Sequence, residues 1–303
     1  MLTAIADDIT GTATKPYHRA VQGKRCSFAQ RRLNEAFEAA KRVFFDNSSR
    51  IVLFSDCHRG NNGRTDEFAR NAGLFVHALT HYYRQGFTYI EVGDGDDLWK
   101  NRRFSDIRRA HGRVFDLLHR FHEQSRLHLI VGNHDIQGKR GLPVAKDGIV
   151  VHEGLILHHG PTGQRIFVVH GHQADFKSEH LQAASRLAVR YIWKLLQTLG
   201  FRNHTGREGV TQRTKKIDRR LAEWAESHRH VVICGHTHRP IVPAQGATPY
   251  FNTGSCVIPG SITGLEIQNG AILPIRWHTR DTGGAHRVER ELTGSPSKLR
   301  LYA

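Results

Sequence analysis

The chain of 303 residues is short of acid: 28 Asp and Glu face 44 Lys and Arg, a formal charge of +16. That surplus attracts phosphates, nucleic acid or an anionic membrane surface, and a solvated basic surface carries it equally well. Cysteine is scarce too. Cys26, Cys57, Cys234 and Cys256 show no Cys-x-x-Cys spacing, which argues against zinc ligation or a disulfide framework. Reduced structural thiols in a reducing, cytoplasmic compartment are the expectation. No apolar run approaches the roughly 20 residues of a membrane-spanning helix. Met1 to Arg25 contains Asp7 and Asp8 but no continuous apolar segment, so neither export nor insertion is expected. Internal repeats, low-complexity tracts and a Gly/Pro-rich linker are also missing. A chain of this length buries a large core and suits one elaborated domain.

Alternation and helical spacing are present instead. Leu33, Phe37, Ala40 and Phe44 predict a leading helix that Asp46-Asn47-Ser48-Ser49 ends, giving an N-terminal tail and helix over 1–48. Ile51 to Phe54, Tyr89 to Val92 and Leu127 to Val131 read as strands separated by helices around 68–83 and 107–121. That order predicts parallel β-α-β units, whose ligand sites lie beyond the carboxyl ends of the strands. Leu155 to Leu157 and Arg165 to Val169 form a predicted hairpin about Gly160-Pro161-Thr162-Gly163. A helical insertion follows over about 176–229, with Leu187, Tyr191, Leu195 and Leu199 on one stretch and Ile217, Leu221 and Trp224 on the next. Val231 to Cys234, Tyr250 to Asn252, Ile262 to Ile267 and Ile272 to Trp277 are expected to complete a second, mostly antiparallel sheet. The main domain then spans 49–280, and 281–303 reads as a polar C-terminal tail.

Chemistry gathers where the apolar runs end. Asp56 and His58 are two apart, so on an extended strand end both side chains leave one side and can share a metal. Gly93 lets the backbone pass close to such a cluster, and Asp94 at the strand tip can bridge two cations with its two oxygens. Asn133 adds an amide oxygen. His134 is an imidazole suited to acid chemistry, with Asp97 placed to orient it. His236 and His238 repeat the i, i+2 arrangement. Among the 22 histidines, His170 is the further ligand candidate rather than His158 or His159. His170 ends the returning hairpin strand, and the other two lie at its far end, about 20 Å away. His172 reads as a neighbour or substrate contact. Arg102 and Arg103, with Arg108 and Arg109, either clamp phosphate at the pocket mouth or form a basic helix face.

The ordered set Asp-x-His, Gly-Asp-x-x-Asp, Gly-Asn-His-Asp, His-Gly-His and Gly-His-x-His, extended by Asn252-Thr253-Gly254-Ser255, resembles the calcineurin-like metallophosphoesterases. The resemblance implies an α/β fold, a four-layer αββα sandwich with a helical insertion. It also implies two divalent cations, with manganese, iron or zinc all suiting the ligands. One metal would take Asp56, His58, Asp94 and His238, and the other Asp94, Asn133, His170 and His236. The implied reaction is hydrolysis of a phosphoester by a metal-bridging hydroxide, with His134 and Asp97 serving the leaving group. Asp97-Leu98-Trp99 and the insertion look like the branch of UDP-2,3-diacylglucosamine pyrophosphate hydrolases, where the insertion is a lid over acyl chains. That branch commonly carries Arg where this chain has His134, and His-Gly-Asp where it has His170-Gly171-His172. A phosphodiesterase or pyrophosphatase acting on a phosphorylated small molecule, nucleotide-sugar or lipid headgroup, in the cytoplasm or at the inner membrane surface, is therefore the leading reading. A nuclease or protein phosphatase and a non-catalytic scaffold of the same fold are the alternatives.

Overall fold

Ser27 opens the first element with a reciprocal cap, accepting from the Gln30 amide while its own amide donates to the Gln30 side chain. The computed structural model describes residues 27–135, 145–175, 207–281 and 286–302. The helix α1 (Phe28–Glu38) does not run to Phe44 as its spacing predicts. Lys41–Phe45 is instead strand β1, paired in parallel with β7 (Gly154–His159). Val43, Phe44 and Phe45 favour a pleated surface, and strand pairing overrides the helical period. The 1–48 boundary therefore cuts through the sheet.

β2 (Ile51–Phe54), β3 (Thr88–Val92) and β4 (Leu127–Ile130) are parallel neighbours, as expected. Their crossovers are α2 (Ala72–Arg84) and the pair α3 (Phe104–Ala110) and α4 (Gly112–Glu123). β5 (Ala145–Lys146) and β6 (Ile149–His152) complete that edge, and β7 and β8 (Arg165–Val169) form the predicted hairpin. α5 (Arg207–His228) leads to β9 (Val231–Cys234) and β10 (Tyr250–Asn252). β11 (Ser261–Gln268), β12 (Ala271–Asp281), β13 (His286–Leu292) and β14 (Ser297–Lys298) close the chain.

The allocation of the later strands corrects the expected second, antiparallel sheet. β9 and β10 continue β8 in parallel, giving a smaller sheet ordered β1-β7-β8-β9-β10. β11 and β12 instead extend the larger sheet beyond β2, in the order β13-β12-β11-β2-β3-β4-β6-β5, with β14 on β12. β11 is buried almost end to end, as an interior strand must be. Residues 281–303 are not a tail within their described part. β13 pairs with β12 along its length, and Leu299 is buried. Its charged sequence, His-Arg-Val-Glu-Arg-Glu-Leu, is what an edge strand carries to discourage further pairing, and so it reads as polar.

Three apolar clusters sort strand residues by parity. Val52, Phe54 and Tyr89 of the larger sheet pack outward on α2 and α4. Ile51, Leu53, Ile90, Val92 and Ile130 face inward, against Leu155, Leu157, Ile166, Val168 and Ile233 of the smaller sheet. Phe167, Val169 and Val232 turn the other way, onto Leu33 of α1 and Ile217, Leu221 and Trp224 of α5. Helix, sheet, sheet, helix is the resulting αββα order, and both sheets are covered on both faces. No helix among the described residues is long and apolar enough to cross a membrane. Leu187, Tyr191, Leu195 and Leu199 lie outside the described residues.

Candidate metal centre

The parallel hydrogen bonding of β2 and β3 continues past the strands. The amides of Asp56, His58 and Arg59 donate to the carbonyls of Gly93, Asp94 and Gly95 at 3.1, 2.8 and 3.0 Å. On the smaller sheet the Gly235 amide donates to the His170 carbonyl at 3.1 Å, tying the ends of β8 and β9 together. Asp56, His58, Asp94, His236 and His238 all have positive φ, five of the ten described non-glycine residues that do. Such backbone persists only where surrounding contacts impose it, and here it turns side chains from both sheets toward one point. Two glycines make room. A Cβ on Gly132 would lie 2.1 Å from Asp94 Oδ1, and one on Gly93 would lie 2.5 Å from the His170 ring.

The side chains converge in two adjoining groups, and His58 also falls in a third with Asp97 and His134. His238 Nε2 is 3.2 Å from Asp56 Oδ1 and 3.2 Å from His58 Nε2. Asp94 Oδ2 stands between the groups, 3.7 Å from His58 Nε2 and 3.2 Å from His170 Nε2. The ligand atoms of Asp56, His58 and His238 lie within 4.8 Å of one another, as do those of Asp94, His170 and His236. Asn133 sits between Gly132 and His134, whose amide donates to Asp94 Oδ1 at 2.8 Å.

The donor set fits divalent cations. Asp56 Oδ1, Asn133 Oδ1 and His170 Nε2 are buried with no hydrogen-bond partner, which native proteins avoid unless something else satisfies the atom. The imidazoles are held from behind: His170 Nδ1 donates to the Val92 carbonyl at 2.8 Å, and His238 Nδ1 lies 3.0 Å from Ser255 Oγ. Each arrangement leaves Nε2 facing the cluster, the usual way a ligating ring is oriented. Burial opposes charge on Asp56, yet His238 and His58 hold its carboxyl well below the ordinary range. Burial likewise opposes charge on Asp94, and His170 and His134 overcome it. Against its own burial, His170 is pushed up to about 9 by Asp94. Asp56 and Asp94 are thus favoured as carboxylates, the form a divalent cation binds.

His134 stands at the rim. Its Nδ1 is 3.1 Å from Asp97 Oδ1, its ring stacks on Trp99 with centroids 4.1 Å apart, and it meets His58 edge-on at 4.5 Å. Trp99 Nε1 donates to the Asn133 carbonyl at 2.6 Å, so one indole holds both neighbours. Asp97 Oδ2 also pairs with Lys100 at 3.3 Å. Burial works against its charge, but His134 and Lys100 keep its carboxyl far below the ordinary range.

His172 is buried beside the cluster, its ring 5.5 Å from that of His170. His159 is bonded to Thr162 and Asn47 at the distant end of the hairpin. Arg102 and Arg103 are exposed ahead of α3, whereas Arg108 is committed to Asp147 at 2.7 Å rather than to the mouth of the site. Sequence reasoning missed a buried charge network beneath the larger-sheet loops. Arg59 binds Glu91 through two nitrogens at 2.7 and 2.8 Å and Asp96 at 2.7 Å. Lys146 reaches Asp96 and Asp135 at 3.0 and 2.5 Å, and Asp135 accepts from the amides of Gly132 and Asp96. The only signal was position: Arg59 adjoins His58, and Asp96 and Asp135 lie within the Gly-Asp-x-x-Asp and Gly-Asn-His-Asp segments.

A two-sheet sandwich with carboxylates and imidazoles converging at its strand ends defines a phosphoesterase-type metal scaffold. The model of the calcineurin-like phosphoesterase superfamily domain matches residues 50–269, and the chain belongs to that family. No curated protein matches the chain. Similar solved structures include Vps29 of Chaetomium thermophilum, 13% identical over 81% of this chain and 97% of that one, with a TM-score of 0.40. A single mutant of Entamoeba histolytica Vps29 is 15% identical over 81% and 99%, TM-score 0.36. A cold-active protein-tyrosine phosphatase of a psychrophile Shewanella species is 14% identical over 83% and 84%, TM-score 0.39.

Proposed function

We propose that the chain is a dinuclear-metal phosphoesterase that hydrolyses a phosphodiester or pyrophosphate bond. The observation that carries this is Asp94 Oδ2, set between His58 and His170 at 3.7 and 3.2 Å, with unsatisfied ligand atoms of Asp56, Asn133 and His170 around it. Asp56, His58 and His238 would hold one cation and Asn133, His170 and His236 the other, with Asp94 between them. Manganese is the favoured pair, and iron or zinc also suits these hard and borderline donors. Bound cations supply Lewis-acid stabilisation of the phosphoryl oxygens and a nucleophile at neutral pH. The chain's own part is positional. His134 stands over the cluster to hold or give a proton at the leaving oxygen, and Asp97 and Trp99 fix its ring.

The substrate we favour is a phosphorylated small molecule such as a nucleotide-sugar or lipid-linked pyrophosphate, in the cytoplasm or at an anionic membrane face. The resemblance carried by Asp97-Leu98-Trp99 supports this, as does the charge of +16. Arg102, Arg103 and His172 are the proposed substrate contacts. Ile217, Leu221 and Trp224 pack into the core against α1 and the smaller sheet, so they do not serve an acyl lid. Residues 176–206 of the insertion lie outside the described residues.

Hydrolysis by metal-reconstituted protein of p-nitrophenyl phosphate, bis-p-nitrophenyl phosphate, UDP-sugars and a UDP-diacylglucosamine tests the reading. Preference for the pyrophosphates is expected. Activity on the generic esters alone would remove the nucleotide-sugar assignment and keep the phosphoesterase, and no activity with manganese, iron or zinc would remove both.

A further inference from the structure

Among the described residues, His236 is the imidazole of the proposed ligand set whose outer nitrogen meets a carboxylate. Its Nε2 lies 3.3 Å from Oδ2 of Asp175, a buried residue that closes the short turn after His170. A carboxylate only accepts, so Nε2 carries the hydrogen and Nδ1 is left with its lone pair for the cluster. Asp175 does not act alone. Arg213 of α5 binds it through both Nε, at 3.3 Å from Oδ1, and Nη2 on Oδ2, and Arg220 donates to the Ala174 carbonyl at 2.8 Å. One turn further, Asp218 accepts from Thr237 Oγ1 at 3.0 Å and from Tyr250 Oη at 2.8 Å. Thr237 lies between His236 and His238. Residues 213 and 220 of one helix therefore hold the turn that carries Asp175, and residue 218 of the same helix holds Thr237 beside His236.

We propose that Asp175, held by Arg213, is the positioning residue for His236, and that α5 thereby links the helical insertion to one cation of the pair. The proposal rests on the metallophosphoesterase reading and adds an asymmetry to it. The cation bound by His236 depends on the insertion, and the cation bound by Asp56, His58 and His238 does not depend on Asp175. Carboxylates behind ligating imidazoles typically set metal affinity by about 10- to 100-fold.

Equilibrium dialysis of the full chain against rising manganese, with metal counted per chain, separates the two sites, and EPR reports whether the ions form a coupled pair. Asp175→Ala is expected to weaken one site by about 10- to 100-fold and abolish the coupled signal, leaving the other site unchanged. Asp175→Glu should restore most of the loss, and Arg213→Gln should weaken the same site by less. Asp175→Asn keeps the shape of the side chain and serves where the alanine variant folds poorly. Equal weakening of both sites, or no change at either, overturns the proposal while the two-metal reading stands. Wild-type protein that binds no pair of manganese ions overturns both.

Discussion

At the larger sheet the ligand loops are fastened from beneath by buried charge, whereas at the smaller sheet side chains of a helix packed on the sheet face do the fastening. Arg59, Glu91, Asp96, Asp135 and Lys146 join the loops that follow β2, β3 and β4 to β5, and all five are buried. Asp175 and Asp218 do the corresponding work after β8 and β9, with half-exposed Arg213 and Arg239 as partners. Withdrawing five charges from water is expensive, and mutual pairing offsets the cost only in good geometry. The first solution is therefore rigid and intolerant of loss. The second shares its hold with a surface helix, and it suits a half of the site that responds to the insertion.

Asp94 belongs to both halves, so its removal is the largest perturbation. Asp94→Asn should lose both cations and lower kcat/KM by about a thousandfold or more, seen in metal content and initial rates. Full activity of the purified variant would dissolve the bridge on which the comparison rests. Next is Arg59→Met, which strands Glu91 and Asp96 in the interior. Urea unfolding should show a loss of about 3–5 kcal/mol. His134→Asn should keep both cations and reduce kcat by about a hundredfold, since it removes only the proposed proton donor at the rim. Loss of metal in that variant would make His134 a ligand instead.

Asp218→Asn tests the smaller-sheet side. Weakening its hydrogen bonds to Thr237 and Tyr250 should cost about 1–3 kcal/mol in the same unfolding assay. A loss equal to that of Arg59→Met would erase the contrast between the two ends. The smallest effect concerns pH. His128 on β4 and His230 ahead of β9 are each lowered to about 4, by burial first and then by Lys41 and Arg165 respectively. A folded value below the unfolded 6.5 means the unfolded chain binds more protons, so this stability is complete above pH 6.5 and declines toward pH 4. Melting temperature should fall through that window, and His230→Phe should flatten the fall. An unchanged slope would assign it to other groups.

The ligand candidates were legible because they close apolar runs, and parallel strands place their carboxyl ends together. The choice of His170 over His159 needed only the length of a hairpin strand, and the structure sets His159 against Asn47 and Thr162 instead. The Arg59 network was not legible, because its members are separated by 32 and 37 positions from Arg59 to Glu91 and Asp96. β1 was hidden by a helical period that continued past Ala39, and β13 by the charge an edge strand carries. The stripe of α5 suits a core more often than a lid, and packing places Trp224 against Phe37 and Phe167.

The order of motifs, their residue types and the parity of the strands are local properties, and the sequence by itself determined them. Only the tertiary structure decided which sheet each closing strand joins, which carboxylate stands behind which imidazole, and where the insertion helix grips. Those outcomes depend on contacts between segments far apart in the chain, whose cost in closure entropy is met by burial and pairing across the whole sandwich rather than by any local pattern.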